Sequence, residues 1–435
     1  MPTFPKYESY KDSGVEWLGE IPSHWTEKKL KFIAQQISKK IEMKEQSGMY
    51  LGLENIESWT GKLVDTELTV EGIANRFQAN DVLFGKLRPY LAKVHLARQA
   101  GFCTTEALVL RFSKAEPNFF FYLLLSKRFI ELVNSSVYGS KMPRASWEFI
   151  GSQYLPLPPV KEQKRIVEFL DRTTGEIDGA IAQKQRLIEL LQEQKAILIN
   201  QAVTKGLNPN APMRDSGIEW VGKVPEHWTA NLKFLSLCQL GRGMLINGPF
   251  GSDLLTSELV EEGIDVIYIR DLKPNKYSRV SKSCILSNKY EQLSGFAVFP
   301  RDLLVAKVGD PPGFSCVYPE NSPPAIVTQD VIRARLNPEL CNADFLAYYF
   351  NSSVGQSSFD SVAIESTRKR VSLGDVKKIK VDLPPIQEQK EIVDFLDSVS
   401  VEHEGIEKTI KQGIEKLKEL RQVTISNAVT GKIKV

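Results

Sequence analysis

The chain has 435 residues, 42% of them hydrophobic and 25% charged, with a formal net charge of +3. It is long enough for two or three domains with real cores, and so weak a charge neither demands nor forbids a nucleic-acid partner. Five cysteines lacking C-x-x-C spacing and only four histidines exclude a zinc module, and no apolar run is long enough for a membrane span.

In chain order, residues 1–27 form a lead-in segment. It has no apolar signal region, so the expectation is a cytoplasmic protein with scattered reduced thiols and no membrane partner. Its segment "DSGVEWLGEIPSHWT" (12–26) reads as a loop, with Gly and Pro breaking any period. Residues 28–157 mix strand-like runs at 82–84 and 107–112 with a helical run at 119–133, and predict an α/β domain. Residues 28–155 hold 18 Lys and Arg against 12 Asp and Glu, a basic balance that permits DNA binding without proving it. Pro158-Pro159 then stops the strand-like "QYLPL" and suits a helix start.

Residues 158–205 predict one long helix, with a heptad-like seam at Ile177, Ala180, Lys184, Leu187, Leu191, Gln194 and Leu198. A linker at 206–230 carries "DSGIEWVGKVPEHWT" (215–229). Residues 231–383 predict a second α/β domain, with strand-like runs at 266–269 and 303–308 and a helical run at 345–350. Residues 384–435 predict a second long helix, with its seam at His403, Ile406, Ile410, Gly413, Leu417, Leu420 and Thr424. Seams of this kind need a partner, and each long helix is the nearest candidate for the other. Two helices packed separately in two domains is the alternative.

The chain is a tandem duplication. Besides the two lead-in loops, "DVLFGKL" (81–87) answers "DLLVAKV" (302–308), "LPPVKEQKRIVEFLD" (157–171) answers "LPPIQEQKEIVDFLD" (383–397), and "QAVTKG" (201–206) answers "NAVTGK" (427–432). The middles diverge: "MYLGLENIESWTGKLV" (49–64) has no clear partner, and the second copy has "GRGMLINGPFGSDL" (241–254).

Catalytic tools are missing. "DPPGF" (310–314) resembles the Asp/Asn-Pro-Pro-aromatic turn of amino-methyltransferases, but Gly313 takes the aromatic's place and no glycine-rich donor-binding turn accompanies it. A turn preference explains it better. "GMLINGPFGS" lacks the Gly-Lys-Ser/Thr of a P-loop. Glu162 and Glu388, in "EQK", sit at helix starts, where the helix dipole favours them, with no acidic partner for a nuclease. His24 and His227 read as structural hydrogen bonders. No cofactor is expected. A basic loop does repeat, as "GSKMPRAS" (139–146) and "ESTRKRVS" (365–372). It aligns Arg144 with Arg370 and Ser146 with Ser372, and Lys86 aligns with Lys307 at the end of a strand. Solvated surface charge is one reading; contacts to phosphates and guanine edges are the other.

The doubled Leu-Pro-Pro-x-x-Glu-Gln with its long helix, "EWLGEIPSHW" with "EWVGKVPEHW", "DVLFGKLRPYLAKV", "GPFGSDL" and "KMPRASW" together resemble the specificity subunit of type I restriction–modification enzymes, over nearly the whole chain. The resemblance implies an α/β (α+β) architecture. Two globular target-recognition domains are joined by two long antiparallel helices, a coiled-coil-like spacer, in a pseudo-twofold tandem repeat. It also implies a non-catalytic subunit that reads a bipartite, asymmetric site in double-stranded DNA, one half per domain. Its implied partners are two methyltransferase subunits and restriction subunits bearing ATPase and nuclease domains. The expected DNA contacts are Lys86, Arg88, Lys141 and Arg144 in the first domain and Lys307, Arg368, Lys369 and Arg370 in the second. The competing readings are a self-contained methyltransferase or nuclease with duplicated DNA-binding domains, and a coiled-coil scaffold that touches no DNA.

Overall fold

A computed structural model describes residues 5–43, 48–66, 72–137, 141–364 and 368–435. The chain divides into two units, Met1–Gln185 with Ile410–Val435, and Arg186–Thr409.

In the first unit the apolar run of "DVLFGK" becomes strand Val82–Gly85, buried at every residue. A strand buried on both faces needs a continuous apolar run and not an alternating one. It lies inside an antiparallel sheet of order Ala34–Ile37, Ala107–Phe112, Val82–Gly85, Val94–Leu96. A second four-stranded sheet holds Lys40–Glu42, Ile73–Phe77, Gly101–Thr104 and Tyr50–Leu51. The second unit repeats the first sheet as Leu245–Asn247, Val331–Ala334, Leu303–Ala306, Ser315–Val317. Its other four-stranded sheet has one parallel pair, Ile264–Ile267 with Ala325–Val327, matching the parallel pair Tyr50–Leu51 with Gly101–Thr104.

The helical run expected at 119–133 is two helices, Pro117–Leu125 and Lys127–Ser135. Ser126 between them is extended, at φ −63° and ψ 142°, and its hydroxyl donates to Leu123 O at 2.6 Å. The second unit breaks the same way, into Ala343–Asn351 and Ser353–Asp360. There Ser352 is extended and donates to Tyr349 O at 2.6 Å. A serine hydroxyl that bonds locally to backbone offers an alternative to the helical ladder.

Each globular domain closes at a two-stranded neck: Thr26–Lys29 pairs with Tyr154–Leu157, and Thr229–Lys233 with Lys380–Leu383. The proline pairs follow directly, and then helices Val160–Lys205 and Ile386–Val429.

Within the first unit Arg421 Nε donates to Asp178 Oδ1 at 3.0 Å, and a Cβ on Gly413 would stand 3.4 Å from Lys184 Nζ. Within the second, Lys195 lies 3.9 Å from Glu404, and Gln192 Nε2 lies 3.5 Å from Glu407. Numbers fall on one helix as they rise on the other, so the helix segments run antiparallel in each unit. The buried face differs from the expected seam. It runs through Thr174, Ile177, Ile181, Lys184, Ile188, Leu191, Lys195, Leu198 and Ala202, while Leu187 is 46% exposed. The matching stripe is His403, Glu407, Ile410, Ile414, Leu417, Arg421 and Thr424, with Ile406 outside it. Both stripes keep the heptad but, from Ile177 and from His403, step four residues where the expected seams step three, and Lys195, Glu407 and Arg421 enter the interface as ion-pairing or hydrogen-bonding side chains.

Both helix tails enter cores. Ala428, Val429 and Ile433 pack with Leu18, Ile21 and Trp25 in the first unit, and Ala202 and Val203 pack with Trp228 in the second. Each fully buried Val, Leu or Ile among them contributes roughly 1.5–3 kcal/mol. "TGK" and "TKG" follow from the fit. Gly431 (φ 72°) lies against Pro22, and a Cβ on Gly206 (φ 69°) would stand 2.6 Å from Glu388 Oε1.

Candidate nucleic-acid interface

The repeated Glu-Gln motif is a joint. Glu162 accepts the Tyr7 hydroxyl at 2.6 Å and sits 2.8 Å from His24 Nε2. In the second unit Glu388 sits 2.8 Å from His227 Nε2 and accepts Trp228 Nε1 at 3.2 Å. The glutamine beside each serves the domain. Gln163 accepts the Glu116 amide at 2.9 Å, and Gln389 the Asn342 amide at 2.7 Å, each at the start of a domain helix. Burial raises the Glu162 pKa, but hydrogen bonds from Tyr7 and His24 outweigh it and hold the carboxyl below its ordinary value. The lead-in loop, a domain helix and the long-helix start are therefore joined through two adjacent side chains. The histidines are structural hydrogen bonders and Glu162 and Glu388 are their partners.

Each domain presents a basic mouth beyond the end of its buried strand. In the first, the Lys86 amide donates to Glu106 O at 2.9 Å, the Ala145 amide to Lys86 O at 3.0 Å, and Leu87 bridges to Arg144. The Arg144 guanidinium grips both Glu106 oxygens, at 3.0 and 3.2 Å. In the second, the Lys307 amide donates to Asp330 O at 2.9 Å, the Val371 amide to Lys307 O at 3.0 Å, and Val308 bridges to Arg370. Arg370 pairs with Asp330 at 3.4 Å. The aligned residues thus meet in the same backbone arrangement in both copies, and Ser146 and Ser372 each cap the short helix that follows.

The other expected residues fall around these two mouths. Arg88 is exposed in the left-handed region (φ 50°), with its amide on Pro143 O. Lys141 is exposed, Arg368 is exposed, and Lys369 pairs with Asp360 at 3.0 Å. Residues 139–140 and 365–367 of the two basic loops lie outside the described residues. Burial, and then the Arg370 charge, lowers the Lys307 pKa. The pairs are partly exposed, and such ion pairs are worth about 0–1 kcal/mol.

Sequence reasoning missed the acidic partners Glu106 and Asp330, and also Tyr90 and Met142, exposed at 46% and 47% beside the paired backbone of Arg88 and Pro143. An aromatic inside the basic run "KLRPY" was the available signal.

A side chain at position 313 would run into Phe359, so an aromatic cannot replace Gly313 in the "DPPGF" turn. Among the described residues no group of three or more His, Cys, Asp or Glu is placed to hold a metal ion. Burial pushes the Cys103, Cys238 and Cys316 thiols up to about 12. No helix among the described residues is long and apolar enough to cross a membrane.

Two divergent domains of matching sheet order, each joined to a long helix by the same Glu-Gln joint, define a tandemly duplicated protein. The family model for the type I restriction modification DNA specificity domain matches residues 22–190 and 256–416, so the chain belongs to the DNA-specificity family of type I restriction–modification systems. It is similar to the putative type I restriction enzyme MjaX specificity subunit of Methanocaldococcus jannaschii, 24% identical over 456 residues, 99% of this chain and 98% of that one. The type I restriction enzyme EcoBI specificity subunit of Escherichia coli is 24% identical over 334 residues, 74% of this chain and 66% of that one. The fold matches that of a chain solved in a study of complex assembly and conformational transition of the type I R-M system, with TM-score 0.69 and 20% identity over 94% of this chain and 98% of that one. It also matches the HsdS subunit from Thermoanaerobacter tengcongensis, with TM-score 0.53 and 19% identity over the same shares.

Proposed function

We propose that residues 28–157 and 231–383 are two target-recognition domains, each reading one half of an asymmetric bipartite DNA site. The helical segments 158–205 and 384–435 set the distance between the halves, and 1–27 and 206–230 carry the joints. The observation that carries this is the doubled mouth, Lys86–Arg144–Glu106 and Lys307–Arg370–Asp330, set identically in domains whose surrounding sequence differs. Unlike domains on a repeated frame read unlike halves, where a homodimer would demand a palindrome. Lys86, Arg88, Lys141 and Arg144 contact one half, and Lys307, Arg368, Lys369 and Arg370 the other. A phosphate between Lys307 and Arg370 would relieve their mutual repulsion.

The chain supplies recognition and no reaction step. Two methyltransferase subunits dock on the helices, and restriction subunits join them. Leu187, Leu190 and Ile197, each 45–48% exposed on one helix face, support such docking. The five buried free cysteines suit the cytoplasm. Purified chain should leave DNA unmethylated, and chain plus its methyltransferase subunit should methylate it. Methylation by the chain alone would overturn the reading.

Arg144→Ala and Arg370→Ala should each weaken DNA binding by roughly 1–3 kcal/mol. A lost base contact relaxes one position of one half-site; a lost phosphate contact weakens all sequences alike and flattens the salt slope. Titrations across salt concentrations separate the two. Unchanged affinity and slope would make both residues ordinary surface charge.

Lengthening the ruler should move the halves apart. Four residues inserted between 185 and 186, and four between 409 and 410, add about 6 Å to each helix and keep roughly one turn of seam. At about 3.4 Å per base pair the preferred spacer grows by one or two pairs, with some affinity lost because each pair also turns one half-site by about 34°. Methylation mapping that found the original spacing would show that the helices are not the ruler.

A further inference from the structure

In the first unit the loop at residues 57–62 is held from two sides. On the domain side, the Trp59 amide donates to Ala92 O at 3.1 Å and His95 Nδ1 lies 2.8 Å from Gly61 O. On the helix side, Arg421 Nη1 donates to Trp59 O at 2.7 Å and Gln422 Nε2 to the same oxygen at 3.3 Å. The same Arg421 donates to Asp178, whose second oxygen takes Lys62 Nζ at 2.8 Å. One guanidinium, on a side chain 6% exposed, therefore ties a domain loop to both long helices.

The second unit has a left-handed residue at the matching place, in a tighter hairpin, and shows no such tie among its described residues. Asn275 (φ 58°) stands where Trp59 (φ 67°) stands, with its amide on Ser315 O at 2.9 Å. Its side chain accepts from Asn351, on the domain's own helix, at 2.7 Å. By the repeat offset, Lys195 and Glu404 take the places of Arg421 and Asp178. They are 3.9 Å apart, with side chains 28% and 77% exposed against 6% and 17% for Arg421 and Asp178.

We infer that Arg421, with Asp178 and Lys62, is a positioning cluster that fixes the first recognition domain on its helix pair, and so sharpens the choice of half-site spacing. The inference rests on the bipartite reading above. A buried, multiply bonded ion pair adds little net stability over a well-packed apolar one, but it defines one geometry. A domain pinned at both neck and loop cannot tilt to reach a half-site one base pair out of place. A domain pinned at the neck alone can.

The test uses the full chain with its methyltransferase subunits on DNA carrying both half-sites at the native spacing and at one base pair more and less. Arg421→Lys keeps the charge but loses the fork that reaches Trp59 O. Lys62→Ala changes an exposed side chain and leaves the fold intact. Arg421→Lys should raise the ratio of off-spacing to native-spacing methylation by about tenfold, the effect of one weakened charge-assisted hydrogen bond, and Lys62→Ala, which loses a more exposed pair, by about threefold. The half-site sequences should stay as they are, and amides 57–62 should exchange faster. Lys195→Ala, at the matching place, should leave the ratio unchanged. A simple loss of stability would lower methylation at every spacing and leave the ratio alone. An unchanged ratio in both first-unit variants, on an otherwise bipartite site, would overturn the positioning role by itself. Wild-type chain that favours no bipartite site would overturn the recognition reading and this inference with it.

Discussion

Replacing Glu162 with alanine is expected to destabilise the first unit by about 4 kcal/mol, because two donors lose a charged acceptor and hydrogen bonds to charged groups are worth about 1.5–3 kcal/mol each. The donors are the Tyr7 hydroxyl and His24 Nε2, and the Glu162 side chain is only 7% exposed, so water cannot fully replace it. The loss is a large share of the 5–15 kcal/mol that holds a typical domain. Glu388→Ala should cost about half as much, since the Glu388 side chain is 22% exposed and its partners retain more solvent. Urea unfolding followed by tryptophan fluorescence measures both. The pH dependence has a definite sign. The Glu162 pKa is lowered in the folded chain, so its contribution is present above the unfolded value and fades as pH falls through the folded one. The gap between wild type and Glu162→Gln should therefore shrink below about pH 4.5. A gap that widened on acidification would contradict the joint as described.

Exchanging residues 28–157 for the equivalent part of another family member should replace one half-site completely and leave the other half untouched. The neck makes the exchange feasible. The domain enters and leaves through one antiparallel pair, Thr26–Lys29 with Tyr154–Leu157, and the proline pair and Gln163 hold the helix start outside it. The mouth lies inside the exchanged part, since Lys86, Glu106 and Arg144 all move with it. The effect is all-or-none for one half, which sequencing of methylated sites reads directly. A change in both halves, or in neither, would mean that recognition is not divided by domain.

Much of this frame was legible because its physics is local. The fully apolar run at 82–85, the proline pairs, the heptads and the doubled loops each carry their own signal. Three features were not. The segment 49–64 does have a structural partner, at 264–277: Gly52 and Tyr268 amides both bond a residue three further on, Asn55 and Asp271, and the turns at Trp59 and Asn275 are both left-handed. The connecting loops differ in length and no side chain is shared, so only the backbone records the match. The seam register slipped because apolar Leu187, Leu190 and Ile197 face outward while Lys195 and Arg421 face the partner helix. A hydrophobicity pattern cannot show a polar interface held by ion pairs. At the mouths the basic residues were visible, but Glu106 and Asp330 were not. Each joins its cation across the sheet, 38 and 40 residues away in sequence.

The central claim is that one chain reads two unlike half-sites at a fixed separation. Mapping DNA methylation across a genome carrying this chain and its methyltransferase subunit tests it most directly. The account predicts one asymmetric motif, two different short sequences separated by a constant number of unspecified base pairs. A palindromic motif, a single uninterrupted motif, or methylation that persists unchanged without this chain would contradict it.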